Sequence, residues 1–222
     1  MPEDIRRYEE GTVLLINKPR GITSFDVIRM LRKSLGIRKI GHAGTLDPMA
    51  SGLLVVCTGK FTKRIYEFQA QEKEYTGTIT LGATTPSYDA ETPADKHYPV
   101  EHINDTMILT AAQRMTGMQM QVPPAYSAKK VDGQRAYTLA RKGEYVVLPA
   151  KEVLVREFEI CRVSLPQVDF RVVCSKGTYI RSLAYDFGQK LGSGAYLSAL
   201  CRTRIGEFML ADAVSPDRVG AD

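Results

Sequence analysis

One aspartate, Asp47, lies in the glycine-flanked segment GHAGTLDPMASG, directly before the apolar run LLVVC. A carboxylate in such a loop can face an open cleft while the strand behind it anchors the backbone, which is a common way to mount a catalytic side chain. Pro48 biases Asp47 toward an extended backbone and stiffens the loop on its C-terminal side. The same pattern is also typical of an ordinary turn. The segment therefore allows a catalytic carboxylate at Asp47 without requiring one.

Three further segments carry side chains that could act together with Asp47. Lys73-Glu-Tyr75 brings an aromatic ring into a predicted strand shortly after the aspartate. PPAYSAKK, residues 123–130, mixes basic and aromatic side chains and is followed by more basic residues, a composition common in loops that face nucleic acid. CSKGTYIR, residues 174–181, places a tyrosine and an arginine at the start of a predicted helix.

Arg181 stands in the first turn of that predicted helix, where the helix macrodipole disfavours a cation. A carboxylate that binds the guanidinium in bidentate fashion would more than offset this cost. The alternative is an arginine that faces solvent. The sequence leaves both interpretations open.

Metal and nucleotide-phosphate sites find little support in the sequence. CTGKFT resembles the end of a phosphate-binding P-loop, but six residues separate Gly52 from Gly59 and Phe61 follows Lys60, so the required spacing is absent. The four cysteines occur singly in apolar segments, and the three histidines form no closely spaced pair. Reduced thiols, rather than disulfides or a zinc site, are therefore the prediction.

Composition and charge describe an ordinary globular protein with two basic stretches. The chain has 222 residues, of which 44% are hydrophobic and 25% are charged. Residues 1–70 carry a net charge of +5, residues 71–110 of −5 and residues 111–150 of +4. This distribution suits contact with a polyanion on a particular face, although solvated surface charge explains it equally well. With no bilayer-length apolar run and no signal-peptide core in MPEDIRRYEE, we expect a cytoplasmic protein.

Strand and helix patterns alternate irregularly along the chain, which predicts a mixed sheet with helices packed on it. The predicted strands are residues 13–16, 53–57, 75–81, 153–163, 168–174 and 201–209. The predicted helices run from Thr23 or Ser24 to Gly36, over 62–69, from a capping box at Thr110, and over 179–190. Residues 82–105 are acidic and proline-containing and are predicted to form a long loop.

Five segments together resemble the successive blocks of the bacterial tRNA pseudouridine-55 synthases, the TruB family. They are NKPRGITSFD, GHAGTLDPMASGLLVVCTGKFTK, KEYTGTITLG, PPAYSAKKVDGQRAY and CSKGTYIRSLAYDFG, in that family's order and over nearly the whole chain. The GTLDP block combined with a downstream SKGTYIRS is very specific. The resemblance implies a pseudouridine synthase fold of the α+β class, with a mixed, mostly antiparallel sheet and flanking helices. It further implies one catalytic domain over residues 1–222, with a thumb-like RNA-binding insertion around residues 123–152.

Enzymes of this family isomerise uridine to pseudouridine in the T-loop of tRNA without a metal or cofactor. The resemblance implies that Asp47 is the catalytic aspartate, which either attacks C1′ of the ribose or removes the 2′ proton. Both routes need the ionised carboxylate, and we expect Arg181 to favour that state as its partner. Tyr75 matches the tyrosine that stacks on the target base and takes part in proton transfer at C5. Further positions near the pocket are matched by Lys18, Lys63 and Tyr179.

The resemblance also implies how RNA would be held. The target uridine lies inside the folded T-loop, so it must flip out before Asp47 can reach its sugar. His42 resembles the family histidine that fills the space vacated by the flipped bases, although a lone histidine is usually structural. Four basic residues of the insertion are expected to contact phosphates, namely Lys129, Lys130, Arg135 and Arg141.

The chain ends at Asp222, where bacterial members of the family commonly continue into a small C-terminal RNA-binding domain. We therefore expect a natural short form or a truncated one, active as a monomer on the tRNA T-stem-loop with no protein partner and no membrane. Two other functions stay open. One is a T-arm-binding tRNA-folding chaperone whose catalysis is dispensable. The other is an RNA-guided, dyskerin-type synthase, which the missing domain makes less probable.

Overall fold

A computed structural model describes residues 3–127, 129–131, 133–144 and 148–220, with only the backbone described for residues 3–5, 130, 131, 135 and 141. The helices are α1 (Glu3–Glu10), α2 (Ser24–Leu35), α3 (Ile65–Ala70), α4 (Asp105–Gln113), α5 (Ala136–Arg141) and α6 (Ile180–Lys190). The strands are β1 (Val13–Lys18), β2 (Ile40–His42), β3 (Ser51–Thr58), β4 (Lys73–Leu81), β5 (Ala83–Thr84), β6 (Lys96–His97), β7 (Gly117–Gln121), β8 (Lys130–Val131), β9 (Gln134–Arg135), β10 (Lys151–Ser164), β11 (Gln167–Cys174), β12 (Ala195–Ile205) and β13 (Phe208–Met209). Short 3₁₀ helices cover Gly59–Arg64, Leu210–Asp212 and Pro216–Arg218.

The chain divides into two compact units, Met1–Thr76 with Leu200–Asp222, and Gly77–Ala199. The division falls within β4 and within β12, so each of these two strands contributes one end to the first unit and the other end to the second. That both units together form the single catalytic domain expected over residues 1–222 stays a prediction.

The sheet of the first unit is centred on β3, which explains why that strand is apolar throughout. β3 pairs antiparallel with β1 and with β2, and parallel with β12, where Arg202 lies opposite Gly52. Leu54 and Val56 pack into a core cluster with α2, whereas Leu53 and Val55 face a second cluster on the other side. A strand buried on both faces has no polar alternation, because successive side chains point to opposite faces.

Helix α2 begins and ends where its local sequence predicts. Thr23 is the N-cap, and its side chain and that of Asp26 form a reciprocal capping box. Gly36 ends the helix in the left-handed conformation at φ 66°. The apolar face of α2 packs on the sheet through Val27, Ile28, Leu31 and Leu35.

In the second unit the strand order is β12-β4-β11-β10-β7. β10 pairs antiparallel with both β11 and β7. Phe158 of β10 contacts Phe170 edge-on at 5.8 Å and Phe187 of α6 at 5.5 Å, so aromatic packing joins this helix to the sheet. Together with the first unit, this mixed and mostly antiparallel sheet with flanking helices confirms the predicted α+β class.

Several predicted boundaries differ from the structure. Helix α4 begins after Asn104, whose side chain accepts a hydrogen bond from the Met107 backbone N–H, so the pattern at Thr110 is not its cap. The loop over 82–105 contains the short hairpin β5–β6. β12 starts at Ala195, six residues before the predicted strand, because pairing with its neighbouring strands fixes the conformation of a stretch whose mixed residues, AYLSAL, show no clear strand pattern.

Candidate active site

The loop that carries Asp47 is held by backbone and side-chain hydrogen bonds on both sides of the aspartate. The Ser24 hydroxyl donates to the Leu46 carbonyl at 3.0 Å and accepts from the Leu46 N–H at 2.9 Å. After the aspartate, the Ala50 N–H donates to the Asp47 carbonyl at 3.1 Å, and the Gly21 N–H donates to the Pro48 carbonyl at 2.8 Å. The sequence pattern therefore encodes a constrained turn in which Asp47 is half-buried.

Lys18 is a fully buried cation in the same unit, with 0% exposure. Its Nζ donates to the Pro19 carbonyl at 2.9 Å and to the Ile22 carbonyl at 2.7 Å. Burial lowers the pKa of Lys18 from 10.5 to about 8, and the negative charge of Asp47 acts in the opposite direction. Lys18 and Asp47 therefore interact electrostatically, as the placement of Lys18 near the site requires.

His42 lies at the end of β2, opposite Val56 of β3. Burial and then the positive charge of Arg202 lower the pKa of His42, while a backbone hydrogen bond with Gly44 raises it. A histidine in this setting favours the neutral form at neutral pH.

Two other predicted site residues of the first unit differ in exposure. Tyr75 is 8% exposed and lies on β4, where the alternation of buried and half-buried residues matches the predicted strand. Lys63 lies in the 3₁₀ helix Gly59–Arg64 and is exposed. The structure thus places Tyr75 as a packed aromatic residue and Lys63 at the surface.

In the second unit, Arg181 has a carboxylate partner that the sequence did not identify. Its Nη1 lies 3.4 Å from Asp89 Oδ2, and both side chains are buried. Nη1 also donates to the Ser87 carbonyl at 3.2 Å, and Nη2 donates to the Tyr126 carbonyl at 3.0 Å. Arg181 lies two residues after the N-cap Tyr179, in the first turn of α6. The carboxylate partner that this position favours is thus Asp89 within this unit. The pairing of Arg181 with Asp47 joins residues of different units and stays a prediction.

Asp89 is fully buried and firmly placed. Its Oδ1 accepts from the Ser87 hydroxyl at 2.5 Å and from the Glu91 N–H at 3.0 Å. Residues 71–110 contain seven acidic side chains, and no periodic pattern distinguishes this one. The only local signal is an aspartate between two hydroxyl residues, Ser87 and Thr92, which is also common in turns.

Tyr179 is fixed by Gln121 and Lys151, two residues that sequence reasoning missed. Gln121 Oε1 accepts from the Tyr179 N–H at 2.8 Å, and its Nε2 donates to the Tyr179 carbonyl at 3.1 Å. The Lys151 ammonium lies 4.9 Å from the centre of the Tyr179 ring and donates to the Gly177 carbonyl. Gln121 and Lys151 are cross-strand neighbours on β7 and β10. Alternate polar residues in GMQMQ were the available signal for such a strand.

The predicted RNA-contacting residues of the insertion lie on small elements. Lys129 is half-buried and precedes β8, and its carbonyl accepts from the Ala136 N–H at 2.7 Å. Burial, and after it the charge of Lys129, lowers the pKa of Lys151. Lys130 and Arg135 are paired across the β8–β9 hairpin and Arg141 ends α5, but their side chains lie outside the described part of the structure. Their phosphate contacts stay predictions.

Two absences can be stated for the described residues. They contain no group of three or more His, Cys, Asp or Glu side chains that could hold a metal ion. None of their helices is long and apolar enough to cross a membrane.

Comparison with known proteins assigns the chain to a family. The family model described as the N-terminal domain of TruB family pseudouridylate synthases matches residues 32–180. A tRNA pseudouridine synthase B of Flavobacterium johnsoniae is 52% identical over 214 residues, which cover 93% of each chain. Proteins with the same name from Phocaeicola vulgatus and Thermobifida fusca are 53% and 46% identical; the aligned part covers 94% and 95% of this chain, and 91% and 74% of theirs.

The fold is similar to chains in solved structures of larger complexes. A chain from the crystal structure of a Cbf5-Nop10-Gar1 complex superimposes with a TM-score of 0.72 at 30% identity over 92% of this chain. A chain from an H/ACA RNP bound to a substrate RNA containing 2′-deoxyuridine gives 0.67 at 28% identity. This chain spans about half the length of those chains, 52% and 49%. Their likeness confirms the pseudouridine synthase fold.

Proposed function

This chain belongs to the TruB family of pseudouridylate synthases, and we propose that it converts uridine 55 in the T-loop of tRNA to pseudouridine, with Asp47 as the catalytic residue. The observation that carries the proposal is the Asp47 loop. Its aspartate is half-buried, and hydrogen bonds at Leu46, Asp47 and Pro48 hold the backbone on either side. A fixed carboxylate beside a buried cation suits a reaction that begins at the ribose C1′.

In the proposed reaction the substrate and product are isomers. The N1–C1′ bond breaks, the base turns, and a C5–C1′ bond forms; C5 loses its proton and N1 gains one. The ionised Asp47 carboxylate either attacks C1′ or removes the 2′ proton to give a glycal, and we leave both routes open. Because no electrons or groups enter from outside, neither an oxidant nor a group donor is needed.

The charged form of Asp47 must persist in a site that RNA closes to water. A nearby cation favours that form, and we propose that Lys18 and Arg181 supply it. Support for Lys18 comes from its electrostatic interaction with Asp47, and Arg181 is assigned by the match of its segment to the family. Tyr75 would stack on the target base and take part in proton transfer at C5. Lys63 and Tyr179 would complete the pocket.

RNA binding would precede this chemistry. The target nucleotide must leave its stack, and His42 would occupy the vacated space. The basic residues of the insertion, Lys129, Lys130, Arg135 and Arg141, would contact phosphates. We further propose that the protein works in the cytoplasm, as a monomer and without a guide RNA.

The test is release of tritium from tRNA labelled at C5 of uridine, using purified protein and an unmodified transcript. Wild-type protein is expected to release tritium from an isolated T-arm hairpin as well, and Asp47→Asn is expected to release none. Release by Asp47→Asn would overturn the mechanism. Activity only in the presence of an added guide RNA would instead favour the RNA-guided function.

A second candidate function is a tRNA-folding chaperone, favoured by the +4 charge of residues 111–150. It predicts that Asp47→Asn retains both RNA binding and the biological effect in a strain that lacks the gene. The two functions are compatible, so this experiment decides whether catalysis is dispensable.

A further inference from the structure

Arg202 is a buried cation whose side chain joins both ends of the loop that carries Asp47. It is 2% exposed on β12. Its Nε donates to the Leu53 carbonyl at 2.8 Å, and its Nη2 donates to the Gly44 carbonyl at 3.1 Å. Gly44 precedes Asp47 in the chain and Leu53 follows it. A single guanidinium on another strand therefore fixes the start and the end of this loop.

The backbone of Arg202 also touches the loop. Gly52 pairs with Arg202 in the parallel β3–β12 ladder, and a Cβ at Gly52 would lie only 2.4 Å from the Arg202 carbonyl oxygen. Gly52 has φ +104°, a conformation that side-chain-bearing residues rarely adopt. The loop thus enters β3 in close contact with β12, directly beside the guanidinium that binds it.

The charge of Arg202 reaches two other residues near the loop. It lowers the pKa of Lys18 and that of His42, in each case after the larger effect of burial. Its two hydrogen-bond acceptors, however, are neutral carbonyls. A buried charge with neutral acceptors costs free energy that an apolar side chain of similar length would avoid. Stability alone is therefore a poor reason for an arginine at this position.

We propose that Arg202 is a positioning residue for the isomerisation, which acts by fixing the loop that presents Asp47. Its planar fork presents donors to two carbonyls in a fixed geometry, whereas a lysine at the same position would retain the charge but carry its donors on one nitrogen at the end of a flexible stem. The inference rests on the proposed function and adds a residue outside the set that the sequence predicted.

The experiment compares Arg202→Met and Arg202→Lys with the wild type, and uses Arg204→Met as the matched control. Arg204 lies two residues further along β12 and binds Glu72 and the Gly206 carbonyl. Three quantities are measured: the single-turnover rate at saturating tRNA, the Kd for tRNA, and hydrogen exchange of the amides of residues 44–53 in the free protein.

Arg202→Met is expected to slow the single-turnover step about 100-fold, the size of effect that a misplacement of about 1 Å produces. The Kd for tRNA should stay unchanged, because Arg202 is buried and its removal deletes no surface charge. Exchange in residues 44–53 should accelerate, with Arg202→Lys intermediate in both rate and exchange. Arg204→Met should leave the rate and the exchange of this loop at their wild-type values.

A folded Arg202→Met protein with a wild-type rate would overturn the proposal, as would an equal loss of rate in Arg204→Met. Should Arg202→Met fail to fold, Arg202→Lys decides: wild-type rate and wild-type exchange together would refute the positioning role. Exchange in the free protein needs no substrate, so it tests the role of Arg202 even if the wild-type chain forms no pseudouridine. A wild-type chain that forms no pseudouridine would refute the proposed function but not the role of Arg202 in fixing the loop.

Discussion

Asp89 supplies a buried negative charge to Arg181, and its removal should affect stability strongly. Asp89→Asn keeps the shape of the side chain but leaves the Arg181 guanidinium buried without that charge. We expect the free energy of unfolding to fall by about 3 kcal/mol, the lower end of what breaking a buried pair costs. Urea unfolding measures this change. Asp95→Asn is the matched control, because exposed Asp95 accepts a hydroxyl hydrogen bond from Thr84 in the same stretch of chain.

Equal losses in Asp89→Asn and Asp95→Asn would show that the carboxyl hydrogen bonds, rather than the contact with Arg181, carry the effect. A rate loss in Asp89→Asn at unchanged tRNA affinity would in turn support the proposed role of Arg181.

Lys18 should give the stability a pH dependence of defined sign. Because its pKa falls from 10.5 to about 8 on folding, the unfolded chain binds more protons than the folded one between these values. The contribution of Lys18 to the free energy of unfolding therefore rises with pH between 8 and 10.5, and is constant below that window. Asp47 opposes this shift, while Arg202 adds to it.

Lys18→Met removes this titration. The difference in unfolding free energy between wild type and Lys18→Met should change across the window from pH 8 to 10.5 and be flat below it. Denaturant unfolding at several pH values provides the measurement, with exposed Lys33→Met of α2 as the control. Parallel pH curves for wild type and Lys18→Met would contradict the shift.

At the scale of elements, the contact between β3 and β12 makes Gly52 the glycine least able to accept a side chain in the Asp47 loop. Gly52→Ala combines a left-handed backbone at φ +104° with a Cβ 2.4 Å from a backbone oxygen. We expect a loss of more than about 4 kcal/mol, a size that points to a specific steric cause. Gly36→Ala has φ +66° and no atom within 4 Å of the new Cβ, so it should cost only about 1–2 kcal/mol.

Thermal unfolding of both variants provides the test. Similar melting temperatures for Gly52→Ala and Gly36→Ala would mean that β12 moves away readily and that the close approach does not constrain the loop.

Elements set by local signals were predictable, whereas those set by distant partners were not. Helix α2 follows from Thr23, Asp26 and Gly36, because capping and a left-handed C-terminus depend on neighbouring residues. The start of β12 depends on strands far away in sequence, and its mixed residues, AYLSAL, gave little local pattern. The same holds within the candidate site: the Asp47 loop was evident from glycines and a proline, but its supports, Ser24 and Arg202, lie 22 and 149 residues from the groups they bind.

At the scale of the whole molecule, charge should govern RNA affinity through salt. The chain has a net charge of +5 and a pI of about 9.0, with the positive excess in residues 1–70 and 111–150. If Lys129 contacts one phosphate, Lys129→Ala should reduce the slope of log K against log salt by about 0.7–0.9. Filter binding to the T-arm hairpin over a salt series measures this slope.

Arg162→Ala is the control for this measurement, since exposed Arg162 is already paired with Asp169 at 3.1 Å. Its slope should match the wild type. An unchanged slope in Lys129→Ala would remove Lys129 from the set of phosphate contacts while leaving the catalytic proposal intact.

The pairing of Gln121 with Lys151 has a consequence for how the family can diversify. The predicted insertion around 123–152 leaves the fold next to Gln121 and returns at Lys151, and these two residues face each other across an antiparallel ladder. Its two ends are therefore joined at the spacing of neighbouring strands, so a longer or shorter segment changes only a slowly varying closure entropy. The length of this segment can therefore vary at low entropic cost, provided that the replacement keeps the Tyr126 carbonyl that accepts a hydrogen bond from Arg181.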